Sequence, residues 1–163
     1  MKGFTLIELL VVIGIIVILM TAALVAINPF KQFAMANNAN RWSGVTTTMN
    51  AISQRMVDKK GILGYDSDPV AANTDCPGVG DDVPTLTPTN MGSADYDICV
   101  ALVTDNYMGT MPYDPQNGDY KGCGDYDTNY TIQCNATSHR ITICALSTQD
   151  PELTEKGIIC ITR

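Results

Sequence analysis

The sequence predicts an α+β fold: a long, kinked N-terminal α-helix packed against a small antiparallel β-sheet head with disulfides. Three observations carry this prediction. Leu9 to Ile27 is a run of 19 residues without a charge. Apolar residues then recur at helical spacing as far as Met56, and β-patterned segments close the chain, with all six cysteines after residue 75. A length of 163 residues suits one compact core better than two.

Charge divides the chain. Residues 1–60 hold six bases and two acids, whereas residues 61–163 hold four bases and 15 acids, a local net charge of -11 within a total of -7. So acidic a C-terminal part argues against a broad nucleic-acid surface on the head, because phosphate recognition needs clustered Lys and Arg. One histidine, His139, and no recognisable nucleotide loop argue against a metabolic enzyme. No catalytic residue, cofactor or resident metal is expected.

As a helix, Leu9–Ile27 spans about 28 Å, the thickness of a bilayer core. Lys2 precedes it and the acidic, cysteine-bearing part follows, which orients the N-terminus to the cytoplasm and the head outside. An ordinary cleaved signal would use Thr21-Ala22-Ala23 or Ala26 as its small-residue site. The short basic region, Met1-Lys2-Gly3, and the carboxylate of Glu8 fit such a signal poorly.

The segment Gly3-Phe4-Thr5-Leu6-Ile7-Glu8-Leu9-Leu10 resembles the N-terminal signature of type IV prepilins and of the pseudopilins of type II secretion. The resemblance covers about the first thirty residues. It implies cleavage by a prepilin peptidase between Gly3 and Phe4 on the cytoplasmic side, followed by N-methylation of Phe4. The apolar helix is then retained as filament core, and the resemblance implies that Glu8 pairs with the new amine of Phe4 on a neighbouring subunit, although spacing of four on one helix equally allows the pair within a subunit. The physics of an acid in hydrocarbon points the same way, since an unpaired ionised carboxylate there costs several kcal/mol.

Asn28-Pro29 interrupts the helix, because Pro29 removes a backbone donor and clashes with the preceding turn. It reads either as a segment that unfolds during assembly or as a static kink. Met35, Trp42, Val45, Met49, Ile52 and Met56 then form one apolar stripe, read as packing surface, with Gly61 and Gly64 ending the helix. Residues 64–96 read as an acidic, proline-rich loop. Asp97–Tyr107 reads as helix or strand, with helix favoured, and Met111-Pro112-Tyr113-Asp114-Pro115 as a turn. Asn129–Gln133, Arg140–Ala145 and Gly157–Thr162 read as an antiparallel meander of three strands. The order Pro-Tyr-Asp-Pro, Gly-Asp-Tyr, Tyr-Thr-Ile resembles the segment before the last strands of several pilins and pseudopilins. These limits give a leader 1–3, a membrane or filament-core helix 4–28, an amphipathic helix 29–60 and a head 61–163.

Cys76, Cys99, Cys123, Cys134, Cys144 and Cys160 include no C-x-x-C pair, so disulfides formed outside the cytoplasm are favoured over zinc or redox chemistry. Six cysteines allow 15 connectivities. Pairing of chain neighbours, Cys76–Cys99, Cys123–Cys134 and Cys144–Cys160, is the expectation. Asp114, Asp119, Asp125 and Asp127 among glycines have a composition able to hold calcium, without EF-hand spacing. Asn129-Tyr130-Thr131 and Asn135-Ala136-Thr137 match the N-glycosylation pattern.

The expected function is structural: a type IV pilin that polymerises into a helical homopolymer of identical subunits at the cell surface, for adhesion, motility or DNA uptake. Its partners would be prepilin peptidase, an inner-membrane assembly platform and the cytoplasmic membrane before assembly. The alternatives are a pseudopilin of a type II secretion or competence system and a single-pass membrane-anchored extracytoplasmic binding protein.

Overall fold

The computed structural model describes residues 3–61, 63, 87–135, 137–146 and 158–163, with 25–27 as backbone. The chain divides into two compact units, Met1–Ala36 and Asn37–Arg163.

In the first unit, helix α1 runs Leu6–Ile27. Its start is fixed by Thr5, whose hydroxyl accepts the amide of Glu8, while the Glu8 carboxylate reaches back to the amide of Thr5, a reciprocal capping box. The helix stops because Asn28 takes a left-handed conformation, with φ 45°. Helix α2, Pro29–Asp58, starts at the very next residue. The long kinked helix expected over 4–60 is thus present, broken at the expected Asn28-Pro29 into α1 and α2. Pro29 is not an interior defect but the first residue of α2, where its missing N–H leaves no bond unmade. The carbonyl of Asn28 accepts the amides of Lys31 and Gln32 and carries the chain across the break.

In the second unit, α2 buries Asn38, Arg41, Gly44, Val45, Thr48, Met49, Ala51, Ile52 and Arg55. This corrects the apolar stripe. Val45, Met49 and Ile52 are core, but Trp42 is 54% exposed and lies off that face, as does the exposed Met35 of the first unit. Two arginines take the ends of the buried face instead. Lys60 and Gly61 then turn left-handed and the Gly61 amide bonds the carbonyl of Met56, which closes the helix. Gly64 lies outside the described residues.

One antiparallel sheet of five strands packs on this helix. Strand β3, Asp125–Asn135, is its centre. It pairs with β1 (Thr89–Gly92), with β2 (Asp119–Gly122) and with β4 (Arg140–Ala145), and β4 pairs with β5 (Ile159–Thr162). The expected meander is present as β3–β4–β5, with β4 at the expected residues. Strand β1 lies inside the stretch read as loop, and β2 was not anticipated. Its signal is the Asp-Tyr repeat on either side of the two-residue turn Cys123-Gly124, which follows Gly122 at the end of β2. The Asp97–Tyr107 segment is a single π-helical turn, Val100–Thr104, in which the Tyr107 amide reaches the carbonyl of Leu102. Met91, Ile98, Leu102, Met111, Tyr130, Ile132 and Ile143 fill the space between sheet and helix, fully buried.

Two disulfides join described residues. Cys144–Cys160 ties directly paired positions of β4 and β5, as expected. Cys99–Cys123 ties the start of the π-turn to the β2–β3 turn. It rules out both Cys76–Cys99 and Cys123–Cys134, because what brings Cys99 to Cys123 is sheet topology and not proximity in sequence. Cys134 is also disulfide-bonded, and Cys76 lies outside the described residues. Peptide mapping without reduction should therefore recover Cys99–Cys123 and Cys144–Cys160 peptides. Reduction should lower the head's stability by about 2–4 kcal/mol per bridge, read by urea titration.

Candidate processing and assembly site

Each residue of the N-terminal motif has a distinct local position. Gly3 has no contact that a methyl group would disturb, since a Cβ there would meet nothing within 4 Å. The fold itself thus makes no demand for glycine at this position. Phe4 is 83% exposed. Glu8 accepts hydrogen bonds from the Thr5 amide at 3.3 Å and the Thr5 hydroxyl at 3.1 Å. Its carboxylate is therefore held one residue from the Phe4 nitrogen, at the helix N-terminus, where the backbone dipole favours a negative charge. Beyond it, Leu6–Leu24 is long and apolar enough to cross a membrane, with mean hydropathy 2.8 and none of it buried. Its apolar side chains project on every side and are exposed.

The head has its own charged site at the sequence Pro112-Tyr113-Asp114-Pro115. Arg41 of α2 and Asp114 are both completely buried. They meet side-on: the Arg41 Nε donates to Asp114 Oδ2 at 2.5 Å and a terminal nitrogen donates to Oδ1 at 3.2 Å. Two further N–H groups of Arg41 donate to Asn38 Oδ1 at 2.9 Å and Gln116 Oε1 at 3.0 Å. Asp114 Oδ1 also accepts the amides of Gln116 and Asn117, and the Asp114 amide bonds the carbonyl of Thr128 on β3. Burial raises the Asp114 pKa, but the Arg41 hydrogen bond, the two amides and the Arg41 charge outweigh it and hold the carboxyl below the usual range. Gly118 closes the loop, where a Cβ would lie 2.7 Å from the Asp114 nitrogen and 2.9 Å from the Thr128 carbonyl. Gly44 lets helix and sheet approach in the same way, since a Cβ there would meet the Tyr130 hydroxyl at 2.8 Å.

Arg55 forms the second buried site. It donates to the carbonyls of Leu63 at 2.8 Å and Ala101 at 2.9 Å, pairs with Asp105 and lies 5.6 Å over the Tyr107 ring. The Arg55 hydrogen bond is the main reason the Asp105 carboxyl is held below its ordinary pKa. Neither arginine was singled out from sequence. The signal was there, as these are the only charged residues from Gln32 to Val57.

The acids considered for calcium do not converge. Asp114 is taken by Arg41, and Lys121 pairs with Asp119 at 3.0 Å and Asp125 at 3.2 Å. Asp127 accepts from Asn90 at 2.9 Å. Among the described residues no three acidic, histidine or cysteine side chains are grouped as metal ligands. His139 sits in the β3–β4 turn, left-handed, with its amide on the carbonyl of Asn135. Of the two glycosylation patterns, Asn129 lies within β3 and Asn135 ends it, exposed.

Asp114→Asn should leave the buried Arg41 charge uncompensated and destabilise the head by about 3–5 kcal/mol in urea titration at neutral pH. Because the folded pKa of Asp114 is depressed, its contribution is complete above the unfolded value near 4 and is lost as pH falls through the folded value. The wild-type protein should accordingly lose stability on acidification below about pH 5, with a shallower loss in Asp114→Asn, where only groups such as Asp105 still titrate.

No curated protein and no solved structure matches the chain. A family model described as the prokaryotic N-terminal methylation motif does match, over residues 1–24, which covers Gly3, Phe4, Glu8 and most of α1. With its exposed apolar helix, this chain carries the cleavage and methylation motif of the prepilins from which type IV pilins and pseudopilins are made.

Proposed function

We propose that this protein is the structural subunit of a type IV pilus, which polymerises through α1 into an extracellular filament. The observation that carries the reading is the pairing of the methylation motif with an exposed, membrane-length helix that is apolar on all sides. Such a helix is stable first in a bilayer and then among identical helices. The precursor is held in the cytoplasmic membrane by this helix, and prepilin peptidase cuts between Gly3 and Phe4. Gly3 supports this, because the glycine answers to no contact in the fold and so to an external requirement, close backbone approach in a peptidase site. Methylation of the freed Phe4 amine keeps its positive charge. An inner-membrane platform then moves the subunit into the growing filament.

Glu8 has two states in this reading. In the precursor it caps α1 through Thr5. After cleavage the charged amine of Phe4 appears one residue away from that cap, and bundling of helices excludes water from the carboxylate. The amine of the same or a neighbouring subunit is then its partner. The disulfide-bonded head supports an extracytoplasmic destination. Its role is structural and not catalytic, with its buried charges paired to one another.

Electron microscopy of sheared cell-surface filaments, with N-terminal mass spectrometry of their subunit, tests the proposal. Filaments whose subunit begins at N-methylated Phe4 are expected. A processed subunit that stays in the cell envelope, without surface filaments, would instead identify a pseudopilin. Glu8→Ala should be expressed, cleaved and membrane-inserted yet yield few filaments, and normal filament yield from it would remove the carboxylate from assembly. Replacement of Gly3 by a bulky residue should leave uncleaved precursor in the membrane, visible by mass spectrometry.

A further inference from the structure

A groove of about 390 Å³ lies between the last turns of α2 and the start of β4. Met49, Ile52, Met56, Val57 and Ile141 line it with apolar surface. Ser53 adds a hydroxyl, but that hydroxyl donates to the carbonyl of Met49 at 2.8 Å. The titratable side chains in the lining are His139 and Arg163, and no acid lines it. Asp58, beside Val57 in sequence, hydrogen-bonds Tyr107. The whole groove belongs to the second unit.

Arg163 is held in place at this groove. Its backbone exchanges both hydrogen bonds with Ile141, and its Nη1 donates to Asn50 Oδ1 at 2.8 Å. Arg41, Arg55, Lys59 and Lys121 each pair with an aspartate, whereas no acid among the described residues pairs with Arg163. Arg41 shows what this leaves open. There Nη1 bonds Asn38 while the Nε–Nη2 edge grips the carboxylate of Asp114. Arg163 has the matching asparagine without the carboxylate.

We infer that the groove binds a fatty-acid anion, with its carboxylate on the Nε–Nη2 edge of Arg163 and its tail along Met56, Val57 and Ile141. That edge presents two parallel N–H groups, the fork that fits a carboxylate. One cationic end on an otherwise apolar groove matches a ligand divided in the same way. Residues 61–163 carry a net charge of -11 and so repel anions in general, which makes a basic, acid-free groove there a selective place for one. The volume is that of a small-molecule site, below what a protein partner needs. A peptide would also bring backbone amides that these apolar walls leave unpaired. The inference is independent of the filament reading, because every residue it uses lies in the head.

Methionine methyl NMR on the processed full-length protein in lipid nanodiscs tests it, with decanoate as the probe and decan-1-ol as its uncharged counterpart. Met49 and Met56 report on the groove, Met20 of α1 on uptake of the probe by the bilayer, and the fully buried Met91 on the integrity of the core. Decanoate should shift the Met56 and Met49 signals saturably at concentrations that leave Met20 and Met91 unmoved. Decan-1-ol should bind several-fold more weakly. Arg163→Gln should weaken decanoate several-fold, with decan-1-ol unchanged and the Met91 signal in its wild-type position. Absence of a saturable Met56 shift before Met20 moves would overturn the inference. Equal affinity for decanoate and decan-1-ol, or decanoate binding that survives Arg163→Gln intact, would overturn the carboxylate contact that defines it. Either failure would leave the filament reading untouched.

Discussion

The side-on pair between Arg41 and Asp114 is the interaction on which the head depends. It joins helix α2 to the loop before β2, and the loop's own amide is bonded to β3 at Thr128. Both ions are out of water, so the pair is held only as long as every remaining donor and acceptor has a partner. Asn38, Gln116 and the amides of Gln116 and Asn117 supply those partners. Gly118 lets the loop fold tightly around the carboxylate, and Gly44 lets the helix settle against Tyr130. Breaking the pair leaves a bare charge in the core, an outcome far worse than losing a surface salt bridge.

Arg55 repeats the logic near the other end of the helix. Its donors hold the carbonyl of Leu63, just past the helix end, and Ala101 in the π-turn, while Asp105 balances the charge. Two arginines thus bind loops to the helix where an apolar stripe alone would pack against the sheet without fixing the connections.

The first unit obeys the opposite constraint. Its helix is apolar and exposed, and the one acid it contains is used to cap its start. The proposed cleavage between Gly3 and Phe4 would add a positive charge next to a carboxylate already in position. An apolar surface with one polar end suits the membrane residence, processing and packing among copies proposed above.

The sequence by itself determined the parts of this protein that depend on near neighbours. The motif from Gly3 to Glu8, the membrane-length run, the stop at Asn28-Pro29 and strands β3 to β5 all rest on residues a few positions apart, through helix capping, continuous hydropathy or alternation. It also placed Val45, Met49 and Ile52 in the core. Only the tertiary structure decided which faces of α2 are covered, since Trp42 and Arg41 are adjacent and hydropathy favours burying the wrong one. Arg41 is buried because Asp114, 73 residues away, waits for it. Cys99 pairs with Cys123 for a similar reason, because the β2–β3 turn is delivered to the π-turn by strand pairing that no local pattern encodes. Strand β1 is short and irregular and takes its identity from the edge of β3 that it completes. Local chemistry writes periodicity into a sequence, whereas partners distant in the chain are chosen by the fold that brings them together.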